Sequence, residues 1–298
     1  MWRTGKGGCI QCPADVQRRR EAMCEFCTRH GDGKVWFKNA ANYARDLMAD
    51  LNRRRYIREF FTNTIEAGIV TIGRLETIYR KKKTLPERVV RQMVSKAEEE
   101  HFGQVVTIED IREIVGRAAT VVRIPCACRW AALKKEARCC YSVSYSPETW
   151  YRDLDMSYFG TAPDMGLESL SPAAAIAQME ALEQEGAVHT IWTMITPFIG
   201  AICNCRPGDC LGLRTLDLGV ETMYRGEQTA QVDGGLCNGC GSCAEACHFG
   251  AIGGREDAGA YRAEIDPEKC FGCGLCRNRC PREAISMRPR AWGKGSRR

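Results

Sequence analysis

Long apolar runs are absent. The first residues, MWRTGKGGCIQCPADV, offer no hydrophobic segment for a signal peptide, which argues against export. Arg18, Arg19 and Arg20 are followed by charged and polar residues, which excludes a twin-arginine signal as well. The longest nearly uncharged stretch, Ala187 to Cys203, contains His189, Pro197 and Gly200 and is too short for a comfortable membrane span. Nucleotide loops are missing: there is no G-x-x-x-x-G-K-[ST] and no G-x-G-x-x-G after a strand. No nucleic-acid-binding motif accompanies the basic runs at residues 52–58 and 79–83, which read as solvated faces. Histidine is scarce, with 4 residues. A cytoplasmic location is the expectation.

What the chain has is cysteine. Hydrophobic residues at 44% and charged residues at 27% are ordinary for a globular protein and exclude a collagen-like or wholly disordered chain. The length, 298 residues, suggests about two domains. Against that background 19 cysteines stand out. A cytosolic chain keeps thiols reduced, so grouped cysteines point to metal rather than disulfides.

Cysteines and charges divide the chain alike. Residues 1–100 carry 21 basic and 13 acidic side chains with 4 cysteines, residues 101–230 carry 11 and 16 with 7, and residues 231–298 carry 11 and 8 with 8. The predicted organisation is an N-terminal metal knuckle (1–34), a helical segment (35–104), a mixed α/β cysteine-rich domain (105–230), a two-cluster module (231–290) and a basic tail (291–298). The fold class expected is α+β.

Local patterns place the elements. Phe37, Ala40, Ala44, Leu47 and Leu51 recur at three- and four-residue intervals and predict one helical face. A second helix is predicted between Thr84 and His101, with Pro86 near its first turn. Thr107-Ile-Glu-Asp110 reads as a capped helix start. Thr120 to Ile124 reads as a strand running into a Cys126-Ala-Cys128-Arg129 turn. Ser171-Pro172 opens a helix that Gly186 ends, and Ala187 to Ile195 is a strand. Pro197 to Ala201 then leads into Cys203-Asn-Cys205.

The C-terminal quarter is an internal repeat. Cys237-x-x-Cys240-x-x-Cys243-x-x-x-Cys247 recurs as Cys270-x-x-Cys273-x-x-Cys276-x-x-x-Cys280-Pro281, every cysteine displaced by 33 residues. Asp233 matches Asp266, Gly239 matches Gly272, and Ala251-Ile252 matches Ala284-Ile285. This segment resembles the bacterial two-[4Fe–4S] ferredoxin family. The resemblance implies one cluster on Cys237, Cys240, Cys243 and Cys280 and another on Cys270, Cys273, Cys276 and Cys247. Proline usually follows each fourth cysteine in that family, as at Pro281, whereas the first repeat has His248. Either the turn merely tolerates histidine there, or His248 lies close enough to the second cluster to make its potential pH-dependent.

The seven middle cysteines are less regular: Cys126, Cys128, Cys139, Cys140, Cys203, Cys205 and Cys210. No C-x-x-x-C-x-x-C run occurs, so the usual radical-SAM motif is absent. Ile124-Pro-Cys-Ala-Cys-Arg129, an acidic helix ending in glycine, and Ile202-Cys-Asn-Cys205 resemble larger multi-cluster 4Fe–4S-binding proteins that carry a cysteine-rich domain before the two-cluster module. That resemblance names a cofactor class and no reaction. A third Fe–S cluster is expected on thiolates from two C-x-C turns, each following a predicted strand; buried free thiols or a thiol redox pair are the alternatives. Cys126, Cys128, Cys203 and Cys205 are the candidate quartet, with Cys139, Cys140 or Cys210 as replacements. Cys9, Cys12, Cys24 and Cys27 form two C-x-x-C knuckles eleven residues apart, a spacing that suits Zn or an Fe–S centre.

The chemistry points to an iron–sulfur electron-transfer protein. The expectation is the electron-relay subunit of an anaerobic oxidoreductase, whose partners are redox proteins docking on the basic N-terminal third. The alternatives are a reductase with a catalytic middle cluster, or a redox-sensing regulator. The formal charge of +6 counts cysteines as neutral. Each thiolate-held [4Fe–4S]²⁺ centre carries about −2, so two of them reduce it to about +2 and a third to about zero. The basicity therefore largely offsets bound thiolates.

Overall fold

A computed structural model describes residues 35–43, 47, 49–135, 137–146, 166–208, 210–257 and 260–291. The series Phe37, Ala40, Leu47 and Leu51 does not form one helical stripe. Short 3-10 turns at Trp36–Lys38 and Ala40–Tyr43 bury Trp36, Phe37 and Tyr43 in the main core, and Leu51 is 72% exposed. Ala44 lies outside the described residues. The break has a local cause at Asp50. Its carboxylate accepts from the Asn52 and Arg53 amides at 2.8 and 3.3 Å, starting a new helix, α1 (Leu51–Glu59).

A single π turn at Phe60–Thr64 joins α1 to α2 (Ile65–Lys82). Turns of this kind insert an extra residue into a helix, and many sit at functional sites. Lys83, in the left-handed region at φ 58°, ends α2. Pro86 then precedes α3 (Glu87–Glu100). The basic run at 52–58 is not a uniformly solvated face. Arg53 is buried, and its guanidinium donates to the carbonyls of Met194 at 3.2 Å, Ile195 at 3.3 Å and Leu47.

The middle domain is built on one sheet. Its elements run β1 (Gly103–Val105), α4 (Ile108–Gly116), β2 (Thr120–Ile124), α5 (Ala127–Leu133), β3 (Cys140–Ser144), β4 (Glu168–Leu170), α6 (Pro172–Gln184), β5 (Val188–Thr193), β6 (Ile199–Cys205), α7 (Leu211–Asp217) and β7 (Met223–Tyr224). The strand order is β4-β2-β3-β6-β5-β1-β7, antiparallel except where β1 meets β7. Thr107 caps α4 through a reciprocal bond pair with Asp110, and Ser171 caps α6 ahead of Pro172.

Side chains alternate across the sheet, so each strand serves two layers. Val121, Tyr141, Ile191 and Ile202 face α4 and α6, where Ile111, Ile114 and Met179 complete the core. Val122, Ile124 and Cys140 face the opposite side with Phe60, Phe61 and Ile65. Trp192 also faces that side, packing with Leu213 of α7.

The C-terminal module follows as β8 (Gln228–Val232), α8 (Ser242–Glu245), β9 (Ile252–Asp257), β10 (Ala260–Ile265), α9 (Leu275–Asn278) and β11 (Ile285–Pro289). β8 pairs antiparallel with β11, and β9 with β10. Its sequence repeat is also a hydrogen-bond repeat. Asp233 Oδ1 accepts from the Gly235 amide at 2.8 Å, and Asp266 Oδ1 accepts from the Glu268 amide at 2.9 Å. The chain is therefore α+β with a ferredoxin-like C-terminal module. No described helix is long and apolar enough to cross a membrane.

Candidate metal centres

The two C-x-C motifs sit in different local structures. Cys126 stands at the N-cap position of α5, and Cys128 and Arg129 lie within that helix rather than in the turn expected after β2. Cys203 and Cys205 lie inside β6 rather than in a turn beyond a strand. The correction has a consequence, because strand alternation turns both thiols to one face and Asn204 to the other. Cys140 is the register partner of Cys203, and their sulfurs are 3.5 Å apart. Cys126, Cys139 and Cys140 offer sulfurs within 4.8 Å of one another. Cys210 precedes α7 and packs with Cys205.

All seven middle cysteines therefore converge, the candidate quartet and its three replacements alike. Their protonation follows from mutual contact. Cys139 and Cys140 donate to the Cys126 sulfur and hold its thiol well below the usual range, against the opposing effect of burial. Cys203 and Cys210 do the same for Cys205, lowering it to about 5. Cys139, Cys140 and Cys210 are pushed up as the donors in these pairs, and Cys128 is pushed up by burial. Charge on Cys126 or Cys205 opposes ionisation of the neighbouring thiols, a repulsion that a cation relieves. The donor set is all sulfur, which suits iron–sulfur chemistry or zinc and not a hard cation.

A cavity of about 630 Å³ opens on six of these thiols, all but Cys139. Tyr56, Phe60, Phe61, Trp192 and Met194 also line it, together with polar side chains such as Glu59, Lys96 and Glu100. His101 also lines it. The His101 ring donates from Nδ1 to the Thr193 carbonyl at 2.6 Å and stacks on Trp192 with centroids 4.8 Å apart. Burial lowers its pKa to about 4, so the ring is neutral near pH 7.

In the C-terminal module the eight cysteines line two small cavities. Cys237, Cys240, Cys243 and Cys280 surround one, and Cys247, Cys270, Cys273 and Cys276 surround the other. Gly239 and Gly272, at φ 73° and 77°, let the two cysteine loops lie against the Tyr261 and Gln228 carbonyls, where a Cβ would overlap the oxygens. The Ala251 amide donates to Cys247 Sγ and the Ala284 amide to Cys280 Sγ, each at 3.3 Å. Four sulfurs around each cavity, close glycine backbone and N–H groups aimed at sulfur are the features a [4Fe–4S] cubane requires.

The two cavities differ in surroundings. Cys240 is exposed. The second cavity faces inward: Phe271 and Leu275 share a buried cluster with Cys205 and Cys210, and Cys273 packs against it. Polar contacts fix this docking. Arg277 pairs with Glu109 at 2.9 Å, and Arg279 donates to the Gln184 carbonyl at 2.7 Å. Arg290 clamps the loop by donating to the Cys270 and Gln228 carbonyls at 2.7 and 2.9 Å. His248 Nε2 bonds the Gly186 carbonyl at 2.8 Å, so this departure from proline supplies a contact between the module and the end of α6.

Sequence reasoning missed Asn204, His189, Glu183 and Arg290 as parts of these surroundings. The only available signal was a histidine and a glutamate at positions that alternation or helical spacing would bury. Cys9, Cys12, Cys24 and Cys27 lie outside the described residues.

Residues 236–284 match the 4Fe–4S dicluster domain family. Comparison with the curated proteins gives no match.

Proposed function

We propose that this chain is a three-centre iron–sulfur relay serving an oxidoreductase. Cys237, Cys240, Cys243 and Cys280 hold one [4Fe–4S] cluster, and Cys247, Cys270, Cys273 and Cys276 a second. Cysteines drawn from the middle seven hold a third. The dicluster match supports an iron–sulfur electron-transfer role. Bound clusters of this type supply reversible one-electron chemistry at potentials set by hydrogen bonds to sulfur and by burial.

The observation that carries the proposal is the shared buried cluster of Phe271, Leu275, Cys205 and Cys210. It leaves apolar packing between the inner C-terminal cavity and the middle thiols. The residues divide the work along that line. Exposed Cys240 marks the end open to a protein partner. Arg277 and Arg279 hold the module against the middle domain, Arg290 clamps the Cys270 loop within the module, and the Ala251 and Ala284 amides stabilise thiolate charge.

A second reading, a reductase whose reaction occurs at the middle centre, is favoured by the cavity of about 630 Å³ on those thiols. Its size falls within the range of small-molecule sites. Anaerobic iron, sulfide and zinc analysis with EPR tests the shared premise. The described residues predict about twelve irons per chain with three centres. A value of about eight, with the middle thiols fully accessible to alkylation, contradicts the third centre.

A further inference from the structure

Behind the middle thiols, on the opposite face of the sheet, lies a line of buried polar groups. Asn204 sits between Cys203 and Cys205 in β6, and its Nδ2 donates to the Cys139 carbonyl at 2.8 Å. That assignment leaves Asn204 Oδ1 to accept from His189 Nδ1–H at 2.6 Å. His189 Nε2 is then a bare lone pair. It faces Glu183 Oε1 of α6 at 3.7 Å, and neither atom has a hydrogen-bond partner among the described residues. His189 is fully buried and Glu183 is 4% exposed. One proton placed between the two buried atoms would satisfy both.

We infer that Glu183 and His189 form a proton-binding pair that takes up one proton when the middle thiol centre accepts an electron. The inference rests on the reading of the middle cysteines as a metal centre. The electron arrives from the C-terminal module, reduced by a low-potential one-electron donor, and the proton arrives from solvent. The proton bonds between Glu183 Oε1 and His189 Nε2, and the charge of the domain is unchanged by the combined step.

Electrostatics give the coupling its direction. Burial lowers His189 to about 4, so the imidazole is neutral, and raises Glu183, so its carboxylate takes up a proton more readily than an exposed one. The charged neighbours come from three elements and are largely neutralised in pairs: Arg112 of α4 with Glu180 of α6 at 2.7 Å, and Glu109 of α4 with Arg277 of α9 at 2.9 Å. From α9, the Asn278 amide also hydrogen-bonds the Glu183 carboxylate. An added negative charge at the thiols is therefore felt by a pair with little other net charge around it. Binding linkage is reciprocal: if reduction tightens the proton, the proton makes reduction easier.

The test is an anaerobic redox titration of the full holoprotein, followed by EPR across a neutral pH series. The midpoint potential of the middle centre is expected to fall as pH rises. The limit is a tenfold change in the equilibrium per pH unit, about 59 mV for a one-electron couple. Glu183→Gln replaces the missing proton with an amide N–H that donates to His189 Nε2. This variant is expected to lose the pH dependence and to hold the potential at its acid-side value, with the C-terminal signals unaltered as a check on folding.

Redox-difference infrared spectra give a second readout, a carboxyl or imidazole band that Glu183→Gln removes. A middle-centre signal with a pH-independent potential in the unaltered protein overturns the inference, and so does an unchanged slope in Glu183→Gln. Absence of any middle-centre signal, with iron at about eight per chain, instead overturns the metal-centre reading and the inference with it.

Discussion

Gly272→Ala is expected to unfold the C-terminal module and to release both of its metal centres. The backbone at Gly272 has φ 77°, and a Cβ there would overlap the Gln228 carbonyl oxygen. That oxygen cannot retreat freely. Gln228 is paired with Pro289 across β8 and β11, and its carbonyl accepts from Arg290 at 2.9 Å. Left-handed backbone alone costs an alanine about 1 kcal/mol or more, and the overlap raises the loss beyond about 3 kcal/mol. Cysteines from both repeats line each cavity, so the damage should not stay within one repeat. Gly253→Ala, where nothing among the described residues lies within 4 Å of the added atom, is the matched control. Iron content and thermal denaturation of the two variants decide the matter. Equal iron in both would show that the close approach at Gly272 is not needed.

The second large effect is expected at Cys205. Cys205→Ala should remove the middle centre while leaving the two C-terminal ones, a loss of about four irons per chain. Cys205 is the sulfur toward which Cys203 and Cys210 donate, and with Cys210 it shares the buried cluster of Phe271 and Leu275. Alanine keeps the site small and apolar, so the sheet should survive at a cost of about 1 kcal/mol. Iron analysis with the EPR spectrum of the reduced protein reads both halves of this expectation. Retention of all iron would show that Cys205 is a packing residue. Loss of all iron would show that the three centres assemble as one unit.

The parts of this architecture legible in the sequence are those written locally. The Thr107–Asp110 cap and the Ser171-Pro172 helix start depend on residues a few positions apart, the repeat shows itself as a fixed displacement of 33, and each has its counterpart in the fold. The segment before residue 51 was misread because its apolar spacing mimics a helix. Asp50 ends that possibility with a cap, and buried Trp36 and Tyr43 fall outside the periodic stripe.

Convergence of all seven middle cysteines was not legible, since it depends on strand order. β3 and β6 are neighbours although more than fifty residues separate them, and this pairing sets Cys140 against Cys203. Equally, nothing local places Glu183 opposite His189. That contact exists because α6 packs over β5.

The relay is tested most directly by rapid-freeze EPR of the full holoprotein mixed with a low-potential protein electron donor. The account predicts that signals of the C-terminal centres appear first and the middle-centre signal later. It further predicts that Cys240→Ala, which alters the exposed end, slows middle-centre reduction by at least about tenfold while leaving its midpoint potential unchanged. Reduction of the middle centre at the same rate in the variant and the unaltered protein would contradict the relay, because electrons would then enter the middle domain without passing through the module docked on it.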